Sequence, residues 1–447
     1  MFEINETHDP NLKSWIESAN APDTDFPIQN LPFCMFRQLG EKDEGEIIGV
    51  AIGDYVLNIE EVSKLDLFNS SFRLEWDNVK LSYFAADLNL LLYSTGIEER
   101  KKIRQFLVSL FEEDTEPHIQ EAVSKHLIPI SEVDLAVPLD IRDYTDFYCS
   151  IFHAANVGAM FRPDNPLLPN YKYIPIGYHG RASSIVVSGT DVKRPKGQNR
   201  TDADAPPVYI PAKNLDYEME VGFFVGKGNQ MGETIPIESA EEHIFGLCLV
   251  NDWSARDIQA WEYQPLGPFL AKSFATTVSP FVVTMEALAP FRVPAFERDA
   301  DDPQPLDYLN GETNRKSGGF DIKLEVYLQT PKMRDENAEP FLLSRSNMKD
   351  LYWTIGQMLT HHASNGCNLQ TGDLMATGTV SGQGKDERGC LLELTWRGKE
   401  PIELPNGETR RFLEDGDEII MKGFCEREGF RRIGFGECRG RILPASE

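Results

Sequence analysis

Basic residues are scarce in this chain: 44 Lys and Arg stand against 71 Asp and Glu, a formal charge of -27 over 447 residues. Such a field repels phosphate backbones and anionic lipid at long range, so neither nucleic acid nor a membrane is an expected partner. An anionic small molecule stays admissible, because a local cluster of Arg and Lys can reverse the sign inside one pocket. Apolar runs are limited too. None approaches the roughly 18 residues that span a bilayer, and the opening MFEINETHDPNLKSW has no apolar signal core. A cytoplasmic protein is expected. The seven cysteines (Cys34, Cys149, Cys248, Cys367, Cys390, Cys425, Cys438) are odd in number and form no Cys-x-x-Cys pair, so neither a zinc framework nor a disulfide scaffold is indicated. Free thiols in a reducing compartment fit. The sequons Asn5-Glu6-Thr7 and Asn69-Ser70-Ser71 then read as chance matches. Phosphate-binding glycine signatures are also missing. Gly226-Lys227-Gly228 with Gly232, and Gly434-Phe435-Gly436 with Gly440, miss the G-x-G-x-x-G spacing and read as turns, and no Gly-Lys-Ser/Thr sequence occurs.

What is present is a globular composition, 41% hydrophobic and 26% charged, with room for two or three domains. Residues 1 to about 130 read as a first unit: extended segments around PFCMFRQ and GEIIGVAIGDYVLNI, then helical patterns around LNLLLYST and EERKKIRQFLVSLFEED. The second helix carries Ile103, Phe106, Leu107 and Leu110 at helical spacing, and its charge run Glu98 to Lys102 reads as a solvated face. After Ile130 to Asp140, strand-like alternation dominates, broken by polar loops at Lys196 to Pro207 and Asp299 to Pro305. One helix is predicted after a cap at Asn347, with Met348, Leu351, Ile355, Met358 and Leu359 as its stripe. Asn406-Gly407 and Asp415-Gly416 mark tight turns among the later strands.

The chemically suggestive residues lie in separate segments. Asp143 to His153, DYTDFYCSIFH, sets Asp146, Tyr148 and His153 among apolar neighbours. In LDYEMEVGFFV, strand alternation puts Glu218, Glu220 and Gly222 on one face and Tyr217, Met219, Val221 and Phe223 on the other. Two neighbouring carboxylates either face solvent or, if buried, require protons or a hard divalent cation. Asp252 ends the apolar run IFGLCLV, as a turn residue or a further ligand. Arg162, Arg181, Arg256 and Lys272 sit in aromatic or glycine-bearing surroundings, as salt-bridge partners or as substrate ligands. His153 is either a hydrogen-bonded core residue or a general base, and Glu393 in the strand-like CLLELTW is an acid in apolar context that can orient it.

DYTDFYCSIFHAANVGAMFRP, LLPNYKYIPIGYHGRASSIVVSGT, DYEMEVGFFVG, NDWSARDIQAWEYQPLGPFLAKSF, LELTW and RIGFGECRGRILPA together resemble the fumarylacetoacetase family over essentially the whole chain. The resemblance implies a mainly β (α+β) fold, with an SH3-like N-terminal domain over 1–137 and a larger mixed β-roll catalytic domain over 138–447. It implies a homodimer that hydrolyses a carbon–carbon bond of a dicarboxylic diketo acid, giving fumarate and acetoacetate in the last step of tyrosine and phenylalanine breakdown. Asp146, Glu218, Glu220 and Asp252 match ligands of Mg²⁺ or Ca²⁺, and Lys272 and Thr276 match residues of the same region. His153 matches the general base and Glu393 its orienting carboxylate. Tyr148, Arg162, Gln259, Tyr263 and Thr379 match substrate-binding positions, Tyr178 lies in a matching pocket motif, and Arg256, Gln259 and Lys272 match the oxyanion-stabilising group. Cys149, Phe152, Ala155, Ala271 and Ala275 depart from the family pattern. The competing expectations are a related acylpyruvate hydrolase or keto-acid decarboxylase and, outside enzymes, a metal-binding structural protein.

Overall fold

The computed structural model describes residues 2–40, 45–65, 87–200 and 204–447. The sequon at Asn69 lies outside them. The described fold is mixed α+β and rich in strands. An antiparallel five-stranded sheet comes first, in the order Leu127–Pro129, Tyr55–Asn58, Ile47–Ile52, Phe33–Gln38, Val133–Leu135. The helix Ile97–Phe111 buries Ile103, Phe106, Leu107 and Leu110, as their spacing predicts. Its charge run is not wholly solvated, however. Arg100 turns inward, donates to the Ile244 carbonyl at 2.9 Å and lies 3.6 Å from Glu286, because the helix packs against the end of a strand whose carbonyl needs a donor.

A larger sheet positions the chemistry. Its order is Gly177–His179, Tyr144–Phe147, Leu374–Ala376, Met219–Val225, Ile244–Asp252, Thr276–Val278, Ile185–Val187, and Val283–Thr284 also pairs with the fifth of these strands. Tyr144–Phe147 runs parallel to Leu374–Ala376, and Thr276–Val278 parallel to Ile185–Val187; the other pairings are antiparallel. Met219–Val225 and Ile244–Asp252 are buried along their whole length, which explains why they read as apolar runs rather than clean alternation. A second five-stranded sheet, in the order Phe341–Asn347, Lys323–Gln329, Glu418–Cys425, Ile433–Leu443, Val192–Lys193, packs alongside.

Four local expectations are corrected. The helix predicted from Asn347 is interrupted: Asn347 caps only the 3-10 turn Met348–Asp350, and the α-helix Ile355–Ala363 starts from a second cap, Thr354, paired with Gln357 in a capping box. Between them the Tyr352 N–H donates to the Cys149 carbonyl, which holds that stretch out of helix. The polar stretch from Lys196 is partly a hairpin of Lys196–Asn199 with Val208–Pro211. Gly434, Gly436 and Gly440 lie inside the strand Ile433–Leu443 rather than in turns; a Cβ at Gly434 would stand 1.9 Å from Asp25 Oδ1, so glycine there allows close approach of another segment. Leu391–Leu394 is a short helix, not a strand.

Candidate active site

The strand Tyr144–Phe147 ends beside Tyr148, and Ser150 then caps the helix Ile151–Phe161, accepting from the His153 N–H at 3.3 Å. This strand-to-helix switch places Asp146 and His153 on either side of one bend. Across the sheet, Asp146 pairs with Tyr178 on one side and Ala376 on the other; Ala376 pairs with Gly222, and Asp252 with Thr276. Carboxylate oxygens of Asp146, Glu218, Glu220 and Asp252 consequently converge to within 4.8 Å of one another. All four residues are buried, so the solvated-face reading of Glu218 and Glu220 does not apply.

Such crowding has an electrostatic cost. Burial, followed by repulsion from Asp252, pushes the Asp146 carboxyl well above the usual range; burial and then Asp146 and Asp252 do the same to Glu220. Burial also acts on Glu218, but Lys272 and Arg256 outweigh it and hold that carboxyl well below its ordinary value. Lys272 Nζ donates to Glu218 Oε2 at 2.5 Å and to Asp252 Oδ2 at 2.8 Å. Its ammonium is disfavoured by burial and stabilised by Asp252 and Glu218, with the net shift upward. Tyr178 and Thr276 complete the shell, donating to Asp252 Oδ2 at 2.9 Å and Oδ1 at 3.1 Å. Both oxygens of Glu220 and Oδ1 of Asp146 are buried with no hydrogen-bond donor. With Asp216, five carboxylates face two cations among the described residues, Lys272 and Arg256. Orphaned hard oxygens and excess negative charge are the donor set that a divalent cation satisfies.

A second group lies next to this cluster, on the far side of Asp216, which bonds to Arg256 and to the helix bearing Glu393. His153 Nδ1 is 2.5 Å from Glu393 Oε2. Asn156 donates to Glu393 Oε1 at 2.9 Å; Ser381 and Cys390 donate to Oε2 at 2.8 Å and 3.2 Å. Burial raises the Glu393 carboxyl, but His153 first, then hydrogen bonds from His153, Asn156 and Ser381, pull it below the ordinary range. The Tyr148 ring meets the imidazole edge-on, centroids 5.1 Å apart.

Asp216 joins the two groups and is the residue most clearly missed from sequence. It accepts from Arg256 Nε at 2.8 Å and from the N–H groups of Leu391 and Leu392 at 2.8 Å and 2.9 Å. A carboxylate thus satisfies the first turn of the helix bearing Glu393, which explains why CLLELTW is not a strand. The signal was the third acid in LDYEMEV. Asn156, one helical turn after His153, was legible by spacing; Ser381 and Cys390 gave no signal.

Other expected residues divide. Arg256 Nη1 donates to Glu218 at 2.6 Å and to Gln259 Oε1 at 3.2 Å, while its Nη2 is buried without an acceptor. Thr379 is buried with an unpartnered hydroxyl. Arg162 is exposed and donates to the Pro166 carbonyl at 3.2 Å, and Tyr263 is 37% exposed with no side-chain partner among the described residues. Neither touches the carboxylate cluster or the His153–Glu393 pair. Arg181 is exposed, donating to Ser183 in its own turn. Ala271 and Ala275 are buried beside Lys272, and Phe152 meets Phe296 edge-on with centroids 6.1 Å apart, so these departures are accommodated by packing.

Fold and site define a class: a strand-rich protein that sets a buried, metal-competent carboxylate cluster beside a carboxylate-held histidine. The comparisons are more particular. Residues 143–443 match the family described as fumarylacetoacetate hydrolase C-terminal, and residues 29–138 match fumarylacetoacetase N-terminal. The chain is 48% identical to the fumarylacetoacetase of Oryza sativa subsp. japonica over 97% of its own length and 98% of that protein. It is 48% identical to that of Homo sapiens over 95% and 98%. Among solved structures, a fumarylacetoacetate hydrolase from psychrophilic Exiguobacterium antarcticum aligns with 93% of this chain and 99% of its own, at 18% identity and a TM-score of 0.49. The chain belongs to the fumarylacetoacetase family of hydrolases.

Proposed function

We propose that this enzyme hydrolyses the carbon–carbon bond of fumarylacetoacetate, giving fumarate and acetoacetate, as the last step of tyrosine and phenylalanine breakdown. The observation that carries the reading is the His153–Glu393 pair set beside four converging carboxylates. A structural cation has no use for an oriented base, so this juxtaposition favours catalysis over a metal-binding scaffold.

With its Nδ1–H held by Glu393, His153 presents Nε2 to take a proton from water. The hydroxide adds to the carbonyl carbon on the fumaryl side. Arg256, Gln259 and Lys272 face the oxyanion, each such donor contributing on the order of 3 kcal/mol. When the tetrahedral centre collapses, its C–C electron pair passes to the acetoacetate carbon, which takes the proton from His153. Tyr148, Tyr178 and Thr379 orient the substrate, and Arg162 and Tyr263, at the ends of the helices Ile151–Phe161 and Arg256–Glu262, are matched to its outer carboxylates. Asp146, Glu218, Glu220 and Asp252, with Lys272 and Thr276 behind them, would hold Mg²⁺ or Ca²⁺, which when bound supplies Lewis-acid polarisation of the diketone.

We also infer a division near residue 137, where the five-stranded sheet closes with Val133–Leu135. A homodimer is supported by exposed apolar side chains around one loop, including Leu266 at 96% and Phe269 at 68%. A cytoplasmic location is supported by seven free cysteines; no described helix is long and apolar enough to cross a membrane. The test is loss of the conjugated absorbance of fumarylacetoacetate, run beside simpler acylpyruvates. Turnover preferring fumarylacetoacetate is expected; preference for the simpler substrates would reassign the enzyme. His153→Ala should retain metal binding and lose turnover.

A further inference from the structure

The side chains around His153 hold a second metal-ligating group, different in kind from the carboxylate cluster. A ring nitrogen of His153, Cys390 Sγ and a Glu393 carboxylate oxygen lie within 4.8 Å of one another, and Nδ1 is the nitrogen that faces Glu393, at 2.5 Å from Oε2. All three residues are buried, and Ser381 Oγ stands 2.8 Å from the same Glu393 oxygen. Among the described residues Cys390 is the one cysteine in such a group. The cluster of Asp146, Glu218, Glu220 and Asp252 offers oxygen alone and suits a hard cation, whereas nitrogen, sulfur and oxygen together suit a borderline-soft one.

We propose that His153, Cys390 and Glu393 form an inhibitory site for thiophilic divalent ions, Zn²⁺ or Cd²⁺, distinct from the site for the hard cation. The bookkeeping of protons shows why occupation stops turnover. The ion bonds to the Cys390 sulfur, whose proton leaves to solvent, and to His153 Nδ1, whose proton shifts to Nε2. The Nε2 lone pair that accepts the proton of water is then gone. Charge also favours the bound state: a thiolate, a carboxylate and a neutral imidazole around a dication sum to neutrality in a site that excludes solvent. With no ion present the Cys390 thiol donates to Glu393 Oε2 at 3.2 Å and His153 keeps its own bond to the same oxygen, so the free enzyme carries an intact dyad. That Zn²⁺ blocks turnover rests on His153 being the base; that the ion binds does not.

The experiment uses the full chain in excess Mg²⁺. Cd²⁺ should produce a sulfur-to-metal charge-transfer band that is lost in Cys390→Ser and in Cys390→Ala but kept in Cys367→Ser, whose thiol lies outside the group. Zinc K-edge absorption of the wild-type protein needs no variant; one sulfur with nitrogen and oxygen scatterers is expected, and a shell of oxygen and nitrogen alone overturns the site. Zn²⁺ inhibition, read as the rate ratio within each variant, should weaken at least about tenfold in Cys390→Ser. An undiminished band and undiminished inhibition in that variant overturn the proposal. A lost band in Cys390→Ser with no inhibition of wild type supports the metal site and removes His153 from the base role.

Discussion

Glu393 Oε2 lies 2.5 Å from His153 Nδ1 in a pocket where Glu393 is 0% exposed and His153 only 3%. Four donors, from His153, Asn156, Ser381 and Cys390, converge on this one carboxylate, so the imidazole has a single favoured tautomer and orientation. Glu393→Gln keeps the volume but removes the charge that fixes the tautomer. Turnover should fall on the order of 10³ to 10⁴-fold with KM little changed. Steady-state kinetics checks the split, and an unchanged near-ultraviolet circular dichroism spectrum shows that packing survives.

Removal of divalent ions by EDTA should abolish activity and lower the melting temperature, since an ion that binds only the folded chain stabilises it by about 2.7 kcal/mol at a hundred times its Kd. Re-addition of Mg²⁺ or Ca²⁺ reverses both. Glu220→Ala should need at least about tenfold more metal for half-maximal recovery, because both oxygens of Glu220 are buried without another partner. Calorimetric titration reads the affinity directly.

Stability without metal should depend on pH in two opposed ways. Asp146 and Glu220 have folded-state values raised above the ordinary carboxylate range, first by burial. The native state therefore holds protons that the unfolded chain has released, and stability is lost as pH rises through those raised values. Glu218 and Glu393 are depressed, with Lys272 and His153 respectively overcoming burial, so their contribution is lost as pH falls through their lowered values. Urea midpoints across pH in EDTA should trace a dome whose alkaline fall shrinks in excess Mg²⁺.

Asp216→Ala should destabilise the fold by about 3–5 kcal/mol, as expected when one partner of a buried ion pair is removed. Arg256 then loses its Nε acceptor and the turn before Glu393 loses two. Chemical denaturation measures the loss, and Asp216→Asn, which retains one carbonyl acceptor, should recover part of it.

Gly378 has a φ of +74°, and a Cβ there would stand 2.3 Å from the Phe147 carbonyl oxygen. Backbone strain and backbone clash coincide one residue before Thr379. Gly378→Ala should lower the melting temperature and reduce kcat/KM together, because the strand bearing Asp146 must move to relieve the contact.

The sequence disclosed the site's chemistry better than its geometry. Period-two alternation sets Glu218 and Glu220 on a common side, although the strand breaks at Tyr217 and Glu218 and resumes at Met219; the apolar run before Asp252 marks it as a strand end, and the long motifs supplied the pairing of His153 with Glu393. Periodicity could not reveal that Asp146 reaches Glu220 across a neighbouring strand, since that depends on the parallel pairing of Tyr144–Phe147 with Leu374–Ala376. Nor could propensity identify the helix Leu391–Leu394, whose N–H groups are satisfied by Asp216 far away in sequence. The break at Leu351 to Trp353 has the same origin: a long-range bond to the Cys149 carbonyl overrides a continuous apolar stripe. Arg162 and Tyr263 show the converse, as motif matches whose side chains lie away from the carboxylates.

That parallel pairing has a consequence in time. Asp143 and Asp373, at the entrance to the paired strands, are 230 positions apart. At ribosomal rates of about 5–20 residues per second, on the order of ten to fifty seconds separate the emergence of Asp146 from that of the strand that docks beside it. During that interval the nascent chain has carboxylates but no assembled cluster, and a histidine without Glu393. Reactivity is therefore acquired late in synthesis, only once the strand Leu374–Ala376 and the helix bearing Glu393 have emerged.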